Sequence, residues 1–259
     1  MFDAFAPPQA IQIQAVQTQA VQTQTLQTHA TQAAINPTAT PKTQCVVLLH
    51  GLGRTPFSMH ALARDFRAAG FIVVNQAYPS RTQSLPELGN FVAIAIRKCT
   101  MLTPTITINF VTHSMGAIVL RQYFANTARP SLIGGPAFGR AVLLGPPNQG
   151  SEIVDAWGDR WWYRLILGPA GAALSTAEIA APKRLPSLPF VFAVIAGNSA
   201  GQNWLLPQVT APSDGKVSVA SAALAGMQAI KLVAVSHTWL PSSRIVRSAA
   251  LKFIKTGAF

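Results

Sequence analysis

Three observations predict an α/β fold built on a mostly parallel sheet of about six strands, with helices on both faces. Short apolar, β-branched runs recur along the chain, and stretches of helical periodicity separate them. The runs are apolar at successive positions, without the alternation of a half-solvated strand, as in strands buried on both faces. Strands joined by helical crossovers form a parallel sheet that is covered on both sides.

The first strand is CVVLL (45–49), which ends at His50-Gly51. Pro56–Ala69 carries Phe57, Leu62, Phe66 and Ala69 at helical spacing, and Gly70 stops it. FIVVN (71–75) is the second strand. Leu85–Cys99 is a helix with Leu88, Val92, Ala95 and Ile96 on one side. ITINFV (106–111) runs into a helix over Met115–Asn126. AVLLG (141–145), FVFAVIAG (190–197) and IKLVAV (230–235) complete the strands, and Ser242–Phe253 closes as a helix.

Composition narrows the class. The chain has 259 residues, 49% of them hydrophobic and 11% charged, enough for one large domain with a substantial core. Two cysteines cannot staple a chain of this length, so a disulfide scaffold is excluded. No apolar run reaches the roughly 18–20 residues that span a bilayer. The N-terminus shows neither a basic n-region nor an apolar h-region, which makes a cytoplasmic location the default expectation. Lys and Arg number 20 against 8 Asp and Glu, a net charge of +12. The basic residues are scattered singly, with no run of four, which argues against nucleic acid. Weak, salt-screened contact with anionic membranes is the expected consequence, and a monomer is expected.

Residues 1–44 stand apart. QAVQT, QAVQT and QTLQT repeat between Gln14 and Thr28, a period of five that matches neither helix nor strand. They read as a disordered Gln/Thr-rich tail and linker, with the folded domain over 45–259.

The chemistry is expected beyond the carboxyl ends of the strands, where open parallel sheets bind ligands. Thr112-His113-Ser114-Met115-Gly116 lies between a strand and a helix, the setting in which a G-x-S-x-G turn exposes a nucleophilic serine. Thr112 replaces the first glycine of that pattern. His50-Gly51-Leu52-Gly53 ends the first strand, and its glycines allow close backbone approach, so the N–H groups of Leu52 and Met115 are the candidate oxyanion donors. Of the five histidines, only His237 follows a strand outside these turns. Asp214, in the loop after FVFAVIAG, is the candidate acid to orient it; Asp155 and Asp159 are the alternatives.

The strings VVLLHGLGRT, FVTHSMG, LLGPPNQGSE (143–152) and SDGKVSVASA (213–222) resemble the α/β-hydrolase superfamily in its bacterial lipase/esterase branch, over roughly Cys45 to Phe259. The order Ser…Asp…His is that superfamily's. The resemblance implies Ser114 as nucleophile, His237 as base and Asp214 as orienting acid, in an enzyme that cleaves carboxylic esters through an acyl-enzyme without a cofactor or metal. An acyltransferase and a non-catalytic binding protein on the same fold remain as alternatives. A small-molecule or lipid ester is the implied partner. Residues 151–187 read either as a helix plugging the sheet edge or as a small cap, whose Trp157, Trp161, Trp162 and Leu165 would line an acyl pocket. In the superfamily's strand order Cys45 and Cys99 meet at the amino-terminal edge of the sheet, where they form either a bridge or two buried thiols. Deleting residues 1–40 is expected to leave melting temperature and turnover unchanged, since no core strand or site residue lies there. A loss of either would mean that the tail docks.

Overall fold

The computed structural model describes residues 43–102, 106–126, 136–199 and 209–259. The expected tail lies outside them, except that Gln44 already pairs with Thr107: strand β1 (Gln44–Leu49) begins one residue before Cys45. Then come β2 (Ile72–Gln76), β3 (Thr107–His113), β4 (Ala137–Leu144), β5 (Phe192–Gly197) and β6 (Ala229–Val233). They form a single sheet in the order β2-β1-β3-β4-β5-β6, parallel at every pairing. The first crossover steps one way from β1 and the next returns to its other side. That reversal opens a crevice beyond the carboxyl ends of β1 and β3, where a parallel sheet takes its ligand.

Eight helices occur among the described residues: α1 (His60–Ala68), α2 (Leu85–Thr100), α3 (Met115–Asn126), α4 (Glu152–Trp157), α5 (Trp161–Ala172), α6 (Ala181–Arg184), α7 (Val219–Ala222) and α8 (Arg244–Thr256). No helix among those residues is long and apolar enough to cross a membrane. The pleat of β1 explains why the strand runs are apolar throughout. Cys45, Val47 and Leu49 join one core with Leu88, Val92 and Ile96 of α2 and Ile118 of α3. Val46 and Leu48 join the other, with Leu62 and Phe66 of α1 and Val246 and Phe253 of α8. Both faces of the sheet are therefore buried at its centre, while edge strand β6 leaves Ile230 and Leu232 exposed.

Several element ends differ from the sequence reading by one to four residues, and two of the differences have a visible cause. β4 starts four residues before AVLLG, and its register against β3 shifts between Ile108 and Phe110. The buried Asn109 side chain occupies that irregularity: its Oδ1 accepts the Arg140 N–H at 2.8 Å and lies 2.3 Å from where a Gly139 Cβ would stand. β6 ends at Val233, because the Val235 N–H turns back to the Val233 carbonyl.

Cys45 and Cys99 are bonded, with their Cα atoms 6.0 Å apart and both side chains fully buried. The bridge ties the start of β1 to the last turn of α2 across 54 residues of chain. In the chain-entropy model a loop of that length contributes about 4 kcal/mol. Cys45→Ala with Cys99→Ala is expected to lower the unfolding free energy by about that much in urea titration. The oxidised wild type, denatured without reductant, should titrate no thiol; two thiols there would show that the bridge does not form.

Candidate active site

The serine turn is built by close approach of two loops. Ser114 has φ 53°, the only positive value at a non-glycine position among the described residues. A left-handed conformation costs an L-residue about 1–2 kcal/mol, and strain of this kind concentrates at functional sites. Packing holds it there. The Ser114 N–H donates to Leu144 O at 2.9 Å, and its carbonyl accepts the Ala117 N–H at 3.0 Å. A Cβ on Gly116 would stand 2.7 Å from Leu49 O and 2.8 Å from His50 O, so only glycine fits there. On the facing loop, a Cβ on Gly51 would stand 3.2 Å from the Ser114 Cβ. Thr112, where the pattern has glycine, is fully buried and its Oγ1 has no hydrogen-bond partner among the described residues.

His237 sits in the short 3-10 turn His237–Trp239 that follows β6. Its Nε2 is 3.0 Å from Ser114 Oγ and its Nδ1 is 2.7 Å from Asp214 Oδ2. With Nδ1–H donating to the carboxylate, Nε2 is left to accept from the serine hydroxyl. The backbone repeats the link, since the His237 N–H donates to Asp214 O at 2.9 Å. Asp214 is buried, and its second oxygen accepts the N–H groups of Lys216 and Val217 at 3.0 and 2.8 Å. Asp155, the alternative acid, lies elsewhere and accepts the Thr176 N–H at 2.8 Å.

No protein-family model matches the sequence, and no curated protein does. Solved structures match the fold. The mature lipase BlEst2 of Bacillus licheniformis aligns with a TM-score of 0.61 over 85% of this chain and 94% of its own, at 17% identity. The metagenomic carboxyl esterase MGS0156 reaches 0.57 over 78% and 69%, at 18% identity. The methylesterase MES16 from Arabidopsis reaches 0.50 over 82% and 98%, at 13% identity. This chain has the α/β-hydrolase fold.

On the α/β-hydrolase sheet, further residues close the site. Gly145, the first residue of GPPNQGS, has φ 52°, and a Cβ there would meet Asp214 Oδ2 at 2.9 Å and His237 Nδ1 at 3.1 Å. A Cβ on Gly197 would stand 2.7 Å from the Asp214 Cβ. His113 is buried beside Ser114; its Nε2 faces His237 O at 3.1 Å, and its ring lies 4.9 Å from the His237 ring. Burial, and then the neighbouring His237, hold its pKa well below the ordinary histidine range, so it stays neutral. His50 steadies its loop, with Nδ1 2.9 Å from Gly51 O and its ring stacked 4.1 Å from that of Tyr78. Gly53 N–H donates to Ser80 Oγ and Arg54 N–H to Gly51 O. The N–H groups of Leu52 and Met115 have no hydrogen-bond partner among the described residues.

Ser114, His237 and Leu52 open onto a cavity of 390 Å³. Its apolar wall corrects the sequence reading. Ile153 and Val154 of α4, Leu167 of α5 and Leu174 just beyond it line the cavity; Trp157, Trp161, Trp162 and Leu165 do not. Trp161 is 74% exposed and Leu165 73% exposed, while Trp157 packs edge-on against Trp162 at 5.4 Å. Helix phase explains the exchange. Before the break in α5, Trp161 and Leu165 lie four residues apart on one exposed face and Leu167 turns to the buried side; Ala170 and Leu174, beyond the break, are buried too. α5 breaks at Gly168 (φ 66°), where a Cβ would lie 1.7 Å from Arg81 O, and a Gly171 Cβ would stand 2.8 Å from Leu52 Cδ2. The insertion therefore lies on the loops that follow β1 and β2.

The strain at Ser114 is measurable. Ser114→Gly is expected to be more stable than Ser114→Ala by about 1 kcal/mol, because glycine takes positive φ without the Cβ penalty. Urea unfolding of the two variants tests this, and equal stability would mean that the turn relaxes.

Proposed function

We propose that this chain is a serine hydrolase that cleaves carboxylic esters. The observation that carries the reading is the continuous hydrogen-bonded chain from Ser114 through His237 to the buried Asp214, opening on a cavity with apolar walls. A serine, an imidazole and a carboxylate so linked have the geometry of a triad. The structures this chain is similar to include a lipase and two esterases, which agrees with that chemistry.

In the proposed reaction Ser114 Oγ attacks the ester carbonyl carbon while His237 Nε2 takes its proton. Asp214 fixes the imidazole tautomer and balances the imidazolium that forms. The oxyanion is received by the N–H groups of Leu52 and Met115, which the turns leave without other partners. Collapse of the intermediate breaks the bond to the alcohol, which leaves with the proton held by His237, and Ser114 stays acylated. Water then attacks with His237 again as base, and the carboxylic acid departs. The steps need no cofactor. Ile153, Val154, Leu167 and Leu174 hold the acyl chain, which makes 151–187 a cap. The buried Cys45–Cys99 bridge favours an oxidising compartment over the cytoplasm.

The test is hydrolysis of p-nitrophenyl esters of graded acyl length. Ser114→Ala and His237→Ala are each expected to lower kcat/KM by several orders of magnitude, and Asp214→Asn to be severe. Asp155→Asn should retain most activity. The acid assignment fails if Asp155→Asn is dead and Asp214→Asn active. A fluorophosphonate probe should label the folded protein at Ser114, and labelling elsewhere would remove the nucleophile.

A further inference from the structure

Arg54, Arg81 and Lys216 all line the cavity over Ser114, and no Asp or Glu does. None of the three side chains makes an ion pair or hydrogen bond among the described residues. Most of the acids among the described residues are committed elsewhere. Asp65 pairs with Arg64 and Arg247, Glu178 with Lys183, and Glu87 receives the Ser84 N–H at the start of α2. Glu152 and Asp155 accept backbone N–H groups, and Asp214 is turned to His237. Arg81 also borders a second cavity that contains Asp155 and Asp159, so Arg54 and Lys216 are the two cations with no acid beside their cavity except Asp214.

They arrive from separate loops, after β1 and after β5, and reach one cavity. They are close enough to affect each other: burial first, and Arg54 next, hold the Lys216 ammonium below the ordinary lysine range, against the opposing pull of Asp214. Two like charges converging on a partly desolvated mouth repel each other unless an anion sits between them. The apolar wall is supplied by different elements, α4 and the α5 region. The lining is thus divided by chemistry, an aliphatic part and a cationic part, with Ser114 among both.

We propose that the substrate is an anionic ester, with an apolar acyl chain and an alcohol part that bears a phosphate or carboxylate group bound by Arg54 and Lys216. The proposal rests on the esterase reading of Ser114. Charge-assisted contacts to one anion by a guanidinium and an ammonium amount to about a tenfold effect or more on kcat/KM in a partly buried site.

The experiment compares 1-butyryl-glycerol with 1-butyryl-glycerol-3-phosphate, both water-soluble, so that no membrane surface takes part. The full chain is expected to favour the phosphate ester by at least about tenfold in kcat/KM at low ionic strength. In the double variant Arg54→Gln, Lys216→Gln that ratio should fall to about one, while Lys252→Gln on the far α8 surface leaves it unchanged. Inorganic phosphate should inhibit hydrolysis of the neutral ester competitively, and less so in the double variant. A wild-type ratio near one, or a ratio that survives both substitutions, overturns the proposal. Inhibition by phosphate without preference for the phosphate ester would mean a free-anion site and overturns it too. Hydrolysis of neither ester, nor of the p-nitrophenyl series, would instead remove the esterase reading itself.

Discussion

The site depends on the contact between the Ser114 turn and the end of β1. Parallel pairing sets Leu49 opposite Thr112, so the residues three beyond each, Leu52 and Met115, leave the sheet side by side. That register brings the His50–Gly53 loop and the serine turn within backbone distance. Gly116 permits the contact from one side, since its Cβ would strike the Leu49 and His50 carbonyls, and Gly51 eases it from the other, where a Cβ would crowd His113 and Ser114. Ser114 then has no room to relax from positive φ, and its hydroxyl is held out beyond the sheet. Met115 is the first residue of α3, where an amide has no acceptor within its own helix.

The acid and the histidine are held by a second set of constraints, mostly backbone. Asp214 N–H donates to Val217 O and His237 N–H to Asp214 O, so the two loops carry each other. The GPPNQGS loop is fastened beneath them: Gln149 N–H donates to Ser221 O, Ser221 Oγ to Gly150 O, and Asn148 Nδ2 to Ala222 O. Arg121 of α3 underlies that loop, donating to the carbonyls of Leu185, Pro186 and Asn148 and to Asn148 Oδ1. It is fully buried with no carboxylate among these partners, and burial lowers its pKa to about 10, so it remains charged at neutral pH. A cation satisfied only by carbonyls fixes three chain segments at once.

How far the sequence is legible follows from these forces. The central strands were readable because both their faces are buried, which writes burial into every position of CVVLL, and the edge strands β2 and β6 because their runs are still mostly apolar. Helix α3 was readable to the residue, from the turn before it and its apolar length. The first half of β4, AFGR, was not, because it is half-exposed and bent around Asn109, which no apolar pattern records. Ser114, His237 and Asp214 were findable because each follows a strand. The cap residues were not, because WWYRLILGPAGAAL offers almost no polar face from which to read helix phase. Aromatic content pointed to the tryptophans, whereas the phase of α5 turned Leu167 inward and the break at Gly168, which no apolar pattern records, set the course of the chain to Leu174. Arg54, Arg81 and Lys216 lie far apart in sequence and converge only through the strand order.

Charge ties the two halves of the site together. In the proposed reaction, attack by Ser114 separates charge, leaving an oxyanion on the substrate and an imidazolium on His237. A cavity lined by cations lowers the free energy of the first and raises that of the second. Among the described residues the one carboxylate beside the serine–histidine pair, Asp214, stands on the imidazolium side, 2.7 Å from His237 Nδ1, and accepts two backbone N–H groups. His113, the other imidazole beside the serine, is kept neutral by burial and adds no cation of its own. Asp214 thus offsets the imidazolium from outside the cavity lining, while Arg54 and Lys216 meet the charge that the proposed substrate brings.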